Sequence, residues 1–257
     1  MITKYKLFEK LNSRGSKSLT EEEFNQILKT SCKNWTKAKT SLYRGQVDLG
    51  PYVYTDPSGT YRKSIEDINT HIELMDNLES WKDYPKYSSS VIGSTNKGVS
   101  GYGKVYEIVP FDNINIGVCP GKDIWESFTW GDFGEWGEDI YKVHHFLEYF
   151  GINADIWDQV GGGNIETKLK SMDKVVVLSG KSVNNKVYKF LKQASEYIKK
   201  DINSLTGIDC YRFINESIFN PSVNGFVSLK YVAGFEAPSD KQIWTEGPVL
   251  LIYNELA

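Results

Sequence analysis

Apolar and polar positions follow two rhythms along this chain. Leu19-Thr20-Glu21-Glu22-Glu23-Phe24 sets a hydroxyl three residues before a glutamate, the reciprocal pairing that closes a helix N-terminus. Phe24, Ile27 and Leu28 then fall on one helical face. The first forty residues are therefore predicted to be helical. Ser64-Ile65-Glu66-Asp67 reads as a second helix start, and Ile68, Ile72, Met75 and Leu78 continue its apolar stripe. Pro57-Ser58-Gly59 marks a turn between the two.

From around residue 88 the period shortens. Val91-Ile92 and Lys104–Val109 read as strands, with Pro110 ending the second and Ile114–Val118 forming a short third. Residues 120–137 show no period and read as a surface loop or irregular helix. Asp139–Phe150 and Asn185–Asp201 are predicted helices; the latter carries a basic face of Lys186, Lys189, Lys192, Lys199 and Lys200, whose default is solvent. Lys174–Leu178 reads as a buried strand, and Gly225–Val232 and Gln242–Tyr253 as the last strands, separated by the loop Ala233–Ser239. Strands cluster in the middle and at the end rather than alternating with helices. That order predicts an α+β fold with a mixed or antiparallel sheet.

Composition adds little and excludes more. The 257 residues are 40% hydrophobic and 25% charged, ordinary for a globular chain that buries its own core. The net charge of −3 gives no global pull on nucleic acid. The 14% aromatic content suits sheets and a stacking pocket. Three dispersed cysteines, Cys32, Cys119 and Cys210, have no metal spacing and read as free thiols of a reducing cytoplasm. Met1–Lys6 lacks a signal-peptide core, and no apolar run spans a membrane. The expectation is a cytoplasmic protein without a membrane partner. Gly161-Gly162-Gly163 lacks the Gly-Lys-Ser/Thr ending of a phosphate loop. His144 and His145 are neighbours in a helix, point to different faces and read as structural, so no metal is expected.

Two short segments carry candidate chemistry. Ser41-Leu42-Tyr43-Arg44-Gly45 ends a short apolar run on an arginine, whose five-donor fork suits a pyrophosphate. Val91-Ile92-Gly93-Ser94-Thr95-Asn96 ends a strand on small hydroxyls that can order a cleft without filling it. Taken singly, Arg44 reads equally as a surface salt bridge, and the Ser-Thr pair as an ordinary loop.

Together, with the following strand Lys104-Val105-Tyr106-Glu107-Ile108 and the late segment Asp240-Lys241-Gln242-Ile243-Trp244, they resemble the mono-ADP-ribosyltransferases of the Arg–Ser–Glu class. The resemblance covers roughly residues 40–110 and 225–253. It implies a single domain over 1–257, with a helical part at 1–40 and a split β-sheet core with a helical insertion at 41–257. It implies NAD as substrate, held by Tyr43, Arg44, Gly45, Ser94 and Thr95, with Arg44 on the pyrophosphate and Ser94 bracing the catalytic acid. It implies a target-recognition loop over Tyr231–Ser239, with Phe235 and Asp240 in that role; Phe235 reads equally as a core plug. The acceptor would be a macromolecule, protein or nucleic acid. The bacterial and phage-associated members, including toxins of anti-phage toxin–antitoxin systems, are the most similar, so an antitoxin partner is implied.

The resemblance also implies a glutamate at position 242, where this chain has Gln242. Three readings stay open: an engineered Glu-to-Gln change, a natural loss of catalysis, or a register in which Glu246 is the acid. Two rival functions stay open too: a non-catalytic NAD- or partner-binding module of the same fold, and a structural or inhibitory phage protein.

Overall fold

A computed structural model describes residues 15–62, 68–99, 103–128, 138–152, 165–172 and 185–253. Its contacts divide the chain into two compact units: residues 1–66, 83–124 and 226–257, and residues 67–82 and 125–225.

The first unit holds a nine-stranded sheet, antiparallel at every pairing. Its strands are β1 (Ser16–Ser18), β2 (Leu42–Gln46), β3 (Tyr52–Thr55), β4 (Val91–Ser94), β5 (Lys104–Pro110), β6 (Asn115–Val118), β7 (Val227–Lys230), β8 (Gln242–Thr245) and β9 (Val249–Tyr253). Across the sheet they run β1-β3-β9-β5-β2-β4-β8-β6-β7. Strand β5, interior to the sheet, is buried on both faces. Its alternate residues feed two cores, as the pleat requires. Tyr106 and Ile108 join Leu42, Ile243 and Leu251 on one side. Val109 joins Phe24, Cys32 and Leu250 on the other.

The second core is covered by α1 (Glu21–Ser31), which starts on the predicted capping box: Thr20 Oγ1 accepts from Glu23 N–H, and the Glu23 carboxylate accepts from Thr20 N–H. Phe24 stacks on Tyr52 with ring centroids 4.7 Å apart; burying a ring of that size stabilises by about 1.5–3 kcal/mol. The Asp112 carboxylate accepts from the Lys33 and Asn34 amides just past the helix end. Trp35 Nε1 donates to Glu107 on β5. The helical start is thus tied to the sheet through both packing and hydrogen bonds. It is shorter than the sequence pattern predicts, because β1 occupies Ser16–Ser18 and pairs with β3. The turn at Pro57-Ser58-Gly59 forms as expected, with Gly59 at φ 76°.

The second unit is helical: α2 (Thr70–Asn77), α3 (Glu138–Tyr149), α4 (Ile165–Lys170), α5 (Asn185–Ile198) and α6 (Gly207–Phe213), the last running into a π-helical turn over Ile214–Ile218. Helix α5 buries Val187, Phe190, Leu191 and Ala194, the i, i+3, i+4, i+7 stripe of a one-sided helix. Phe190 stacks on Phe146 of α3 at 4.2 Å and meets Phe213 of α6 at 5.4 Å. Trp81 donates its indole N–H to the Phe219 carbonyl at 2.7 Å. The predicted stripe Ile72, Met75 and Leu78 is buried, although α2 begins at Thr70, later than Ser64.

The cysteines are free and buried, as expected. Among the described residues no helix is long and apolar enough to cross a membrane. The predicted strand Lys174–Leu178, the triple glycine at 161–163 and residues 64–67 lie outside the described residues.

Candidate functional site

Arg44, Ser94 and Gln242 sit on three neighbouring strands of the first unit, β2, β4 and β8. Ser94 is the register partner of Tyr43 on one side and of Gln242 on the other. At the spacing of paired strands, Tyr43 and Gln242 are roughly 10 Å apart across the row. The fold therefore brings together segments far apart in sequence, and Tyr43, Ser94 and Gln242 share one face.

Arg44 is one residue further along β2, so the pleat starts its side chain toward the opposite face, beside Tyr106 and Leu42. Strands β2 and β4 share a single register pair, Tyr43–Ser94. Beyond that pair the guanidinium enters the seam: Nη1 donates to the Ile92 carbonyl at 2.6 Å and Nε to Gln46 Oε1 at 3.1 Å. Burial draws the guanidinium down to about 10, which still leaves it charged at neutral pH. Gln46 is buried too. Its oxygen faces Arg44, and its Nε2 has no hydrogen-bond partner among the described residues. An orphan buried donor costs about 1–3 kcal/mol. The seam thus holds one cation and one donor lacking an acceptor. Arg44 is buried rather than on the surface, where its alternative reading would put it.

Ser94 and Thr95 hold the start of β8. Ser94 Oγ donates to the Lys241 carbonyl and accepts from Asn96 N–H. Thr95 donates its amide to the Lys241 carbonyl at 2.9 Å and its hydroxyl to the Pro238 carbonyl at 2.8 Å, and accepts from Lys241 N–H. Asn96 Nδ2 donates to Asp240, which also pairs with Lys122 at 2.9 Å. The Asn96 hydrogen bond, with Lys122, holds the Asp240 carboxyl below the usual range. Asp240 sits at φ 57°, a left-handed conformation that aspartate tolerates. Gly93 is required: a Cβ there would lie 2.7 Å from the Tyr43 carbonyl oxygen and against Ile108.

Gln242 is 6% exposed. Its Oε1 accepts from Ile124 N–H at 2.8 Å and its Nε2 donates to the Tyr87 hydroxyl at 2.8 Å. The Ile124 amide fixes which end of the side-chain amide is oxygen. Burial pushes the Tyr87 phenol well above its ordinary range, so it keeps its proton. The Arg62 guanidinium lies 6.0 Å from the Tyr87 ring centroid and donates to the Ser90 carbonyl. Tyr87 and Arg62 are absent from the sequence-derived site. Nothing in their spacing separates Tyr87 from the other tyrosines.

Glu246 lies past the end of β8, exposed, its carboxylate accepting from Lys86 N–H. The residue opposite Ser94 is Gln242, not Glu246. Phe235 is 3% exposed and packs on Tyr231 at 4.9 Å within the first core; of its two alternatives, the core plug is the one formed. Val232, Ala233, Gly234, Glu236, Pro238 and Ser239 are the exposed residues of that loop. The side-chain nitrogens of His144 and His145 both reach Glu148.

No family model, curated protein or solved structure matches this chain.

Proposed function

We propose that this chain is a NAD-dependent mono-ADP-ribosyltransferase of the Arg–Ser–Glu class, with the split-sheet fold of that class, whose catalytic glutamate position is held by Gln242. One observation carries the reading. Position 242 stands opposite Ser94, and its surroundings suit a carboxylate at least as well as an amide. Ile124 N–H is one donor, and the Tyr87 O–H becomes a second once the residue has no N–H of its own. A carboxylate takes both bonds as acceptor, and charge-assisted bonds of this kind are about twice as strong as neutral ones. The orphan Gln46 donor beside Arg44 is further support, because a phosphate oxygen would satisfy it.

In this reading Arg44, whose side chain starts on the other face of β2, reaches the pyrophosphate through the β2–β4 seam, and Tyr43, Gly45, Ser94 and Thr95 shape the pocket. The C1′–N bond breaks with its electron pair leaving on nicotinamide. The resulting oxocarbenium-like centre needs a fixed negative charge nearby. The acceptor then bonds C1′ and loses a proton. Gln242 can hydrogen-bond a ribose hydroxyl but supplies no charge. The acceptor is a protein side chain or a nucleic acid, and the exposed loop Val232–Gly234, with Glu236 and Asp240, is the surface nearest β8 in sequence. A cytoplasmic toxin of an anti-phage system, restrained by an antitoxin, fits this chemistry.

A second reading, a non-catalytic module that binds NAD or a partner, has its own support: both the oxygen and the nitrogen of the Gln242 amide are hydrogen-bonded as they stand. The test is Gln242→Glu, followed by Arg44→Lys in that background. Nicotinamide release by the first protein and its loss in the second supports the enzyme; NAD binding with no release in either supports the module.

A further inference from the structure

We infer that His144, His145 and Glu148 form a binding site for a zinc-type divalent cation on α3. The site lies in the helical unit and is independent of the NAD reading. His144 Nε2 is 3.4 Å from one Glu148 oxygen, and His145 Nδ1 is 3.3 Å from the other. Both separations are long for a hydrogen bond to a carboxylate, which is about 2.7–2.9 Å. The two contacts run to different oxygens of the carboxylate, so Glu148 bridges the two imidazoles. With metal–nitrogen and metal–oxygen distances of about 2.0–2.2 Å, neighbouring donors stand about 3.3–3.5 Å apart. The three donor atoms lie within 4.8 Å of one another. His145 and Glu148 are the more exposed of the three, and they are the side chains that would close on the ion.

The second shell is in place. To ligate through Nε2, His144 must carry its proton on Nδ1, and Thr70 Oγ1 of α2 lies 2.8 Å from that atom. Thr70 is fully buried, so its hydroxyl holds the ring orientation and can accept the Nδ1 proton that Nε2 ligation requires, the place taken by the outer partners of metal-bound histidines. The three residues occupy the last turns of α3, where the helix dipole favours a cation. Two imidazoles and a carboxylate are a donor set for Zn²⁺ or Co²⁺ rather than Mg²⁺ or Ca²⁺. The exposure of Glu148 and His145, 46% and 28% at the side chain, leaves the fourth position to water. Competing sites of the same chemistry are few: the chain has three histidines, of which His71 is buried against Trp125, and all three cysteines are buried.

The experiment uses the full, tag-free chain, stripped with chelator and titrated with Zn²⁺ against a chromophoric competitor, then with Co²⁺ while the visible absorption is followed. The expected result is one equivalent per chain and the intense visible bands of low-coordinate Co²⁺. Glu148→Gln and His145→Gln should each weaken binding by more than ~10-fold, and Thr70→Val by ~10–100-fold. Because Glu148 is exposed and His145 only half-buried, those two variants should keep the circular dichroism of the metal-free parent and melt close to it. Zn²⁺ should raise the melting temperature of the parent and not of Glu148→Gln. Absence of stoichiometric uptake, or uptake unchanged in both surface variants, overturns the site.

Discussion

Replacing Gln242 by glutamate is the change with the most to say. The side chains are isosteric, so no cavity or overpacking term enters. What changes is one hydrogen and one charge. The Ile124 N–H bond at 2.8 Å is kept, and the Tyr87 bond at 2.8 Å reverses, with the phenol now donating. Two bonds to a charged group contribute about 1.5–3 kcal/mol each. Against them stands the desolvation of a carboxylate at a 6% exposed position, which costs several kcal/mol. The terms are of similar size, so folding stability should change by less than about 2 kcal/mol. Catalysis should not be similarly balanced. A preorganised contact to developing charge is worth about 10²–10³ in rate. Nicotinamide released from NAD, measured by chromatography with and without a cell-extract acceptor, should rise by at least that factor. Tyr87→Phe in the glutamate background should take back about tenfold, the equivalent of one bond of about 1.4 kcal/mol. A Gln242→Glu protein that melts like its parent, binds NAD and releases nicotinamide no faster would refute the assignment of position 242.

Other expectations follow from the same structure. Gly93→Ala puts a methyl 2.7 Å from the Tyr43 carbonyl oxygen, and denaturant titration should show a loss of about 1–3 kcal/mol. Phe235→Ala should cost about 3–5 kcal/mol, as for any buried ring; a stable protein with altered acceptor choice instead would return Phe235 to target recognition. The Asp209 carboxyl is pushed up by burial but drawn further down by Lys200, 2.9 Å from each oxygen, and by Thr206, so it lies below its ordinary range in the fold. Its stabilising contribution is therefore present above the unfolded value of about 3.9 and is lost as pH falls through the lower folded value. Urea melts below about pH 4 should show a steeper loss for the parent than for Asp209→Asn.

Local signals were legible in the sequence. The capping box at Thr20 and Glu23, the stripe on α5 and the turn at Gly59 each depend on residues within a few positions of one another, and each forms where its pattern lies. Strands β4, β5, β8 and β9 were readable because β-branched and aromatic runs have few other places to go. Helix α2 is seen from Thr70, while the predicted start over Ser64–Asp67 lies outside the described residues. Strand β1 was missed because Ser16-Lys17-Ser18 carries no apolar signal; only its pairing with β3 makes it a strand.

By itself, then, the order of residues determined the α+β class, the buried stripes and the three segments worth bringing together. Register was decided only in three dimensions. Hydrogen bonds between β2, β4 and β8 set Ser94 opposite both Tyr43 and Gln242 and leave Glu246 past the strand end. Pleat and burial sent Arg44 into the seam and Phe235 into the core. The partners of Gln242, Tyr87 and Ile124, lie more than a hundred residues away along the chain. No periodicity reports such contacts, because they arise from how strands stack and not from spacing along any one of them.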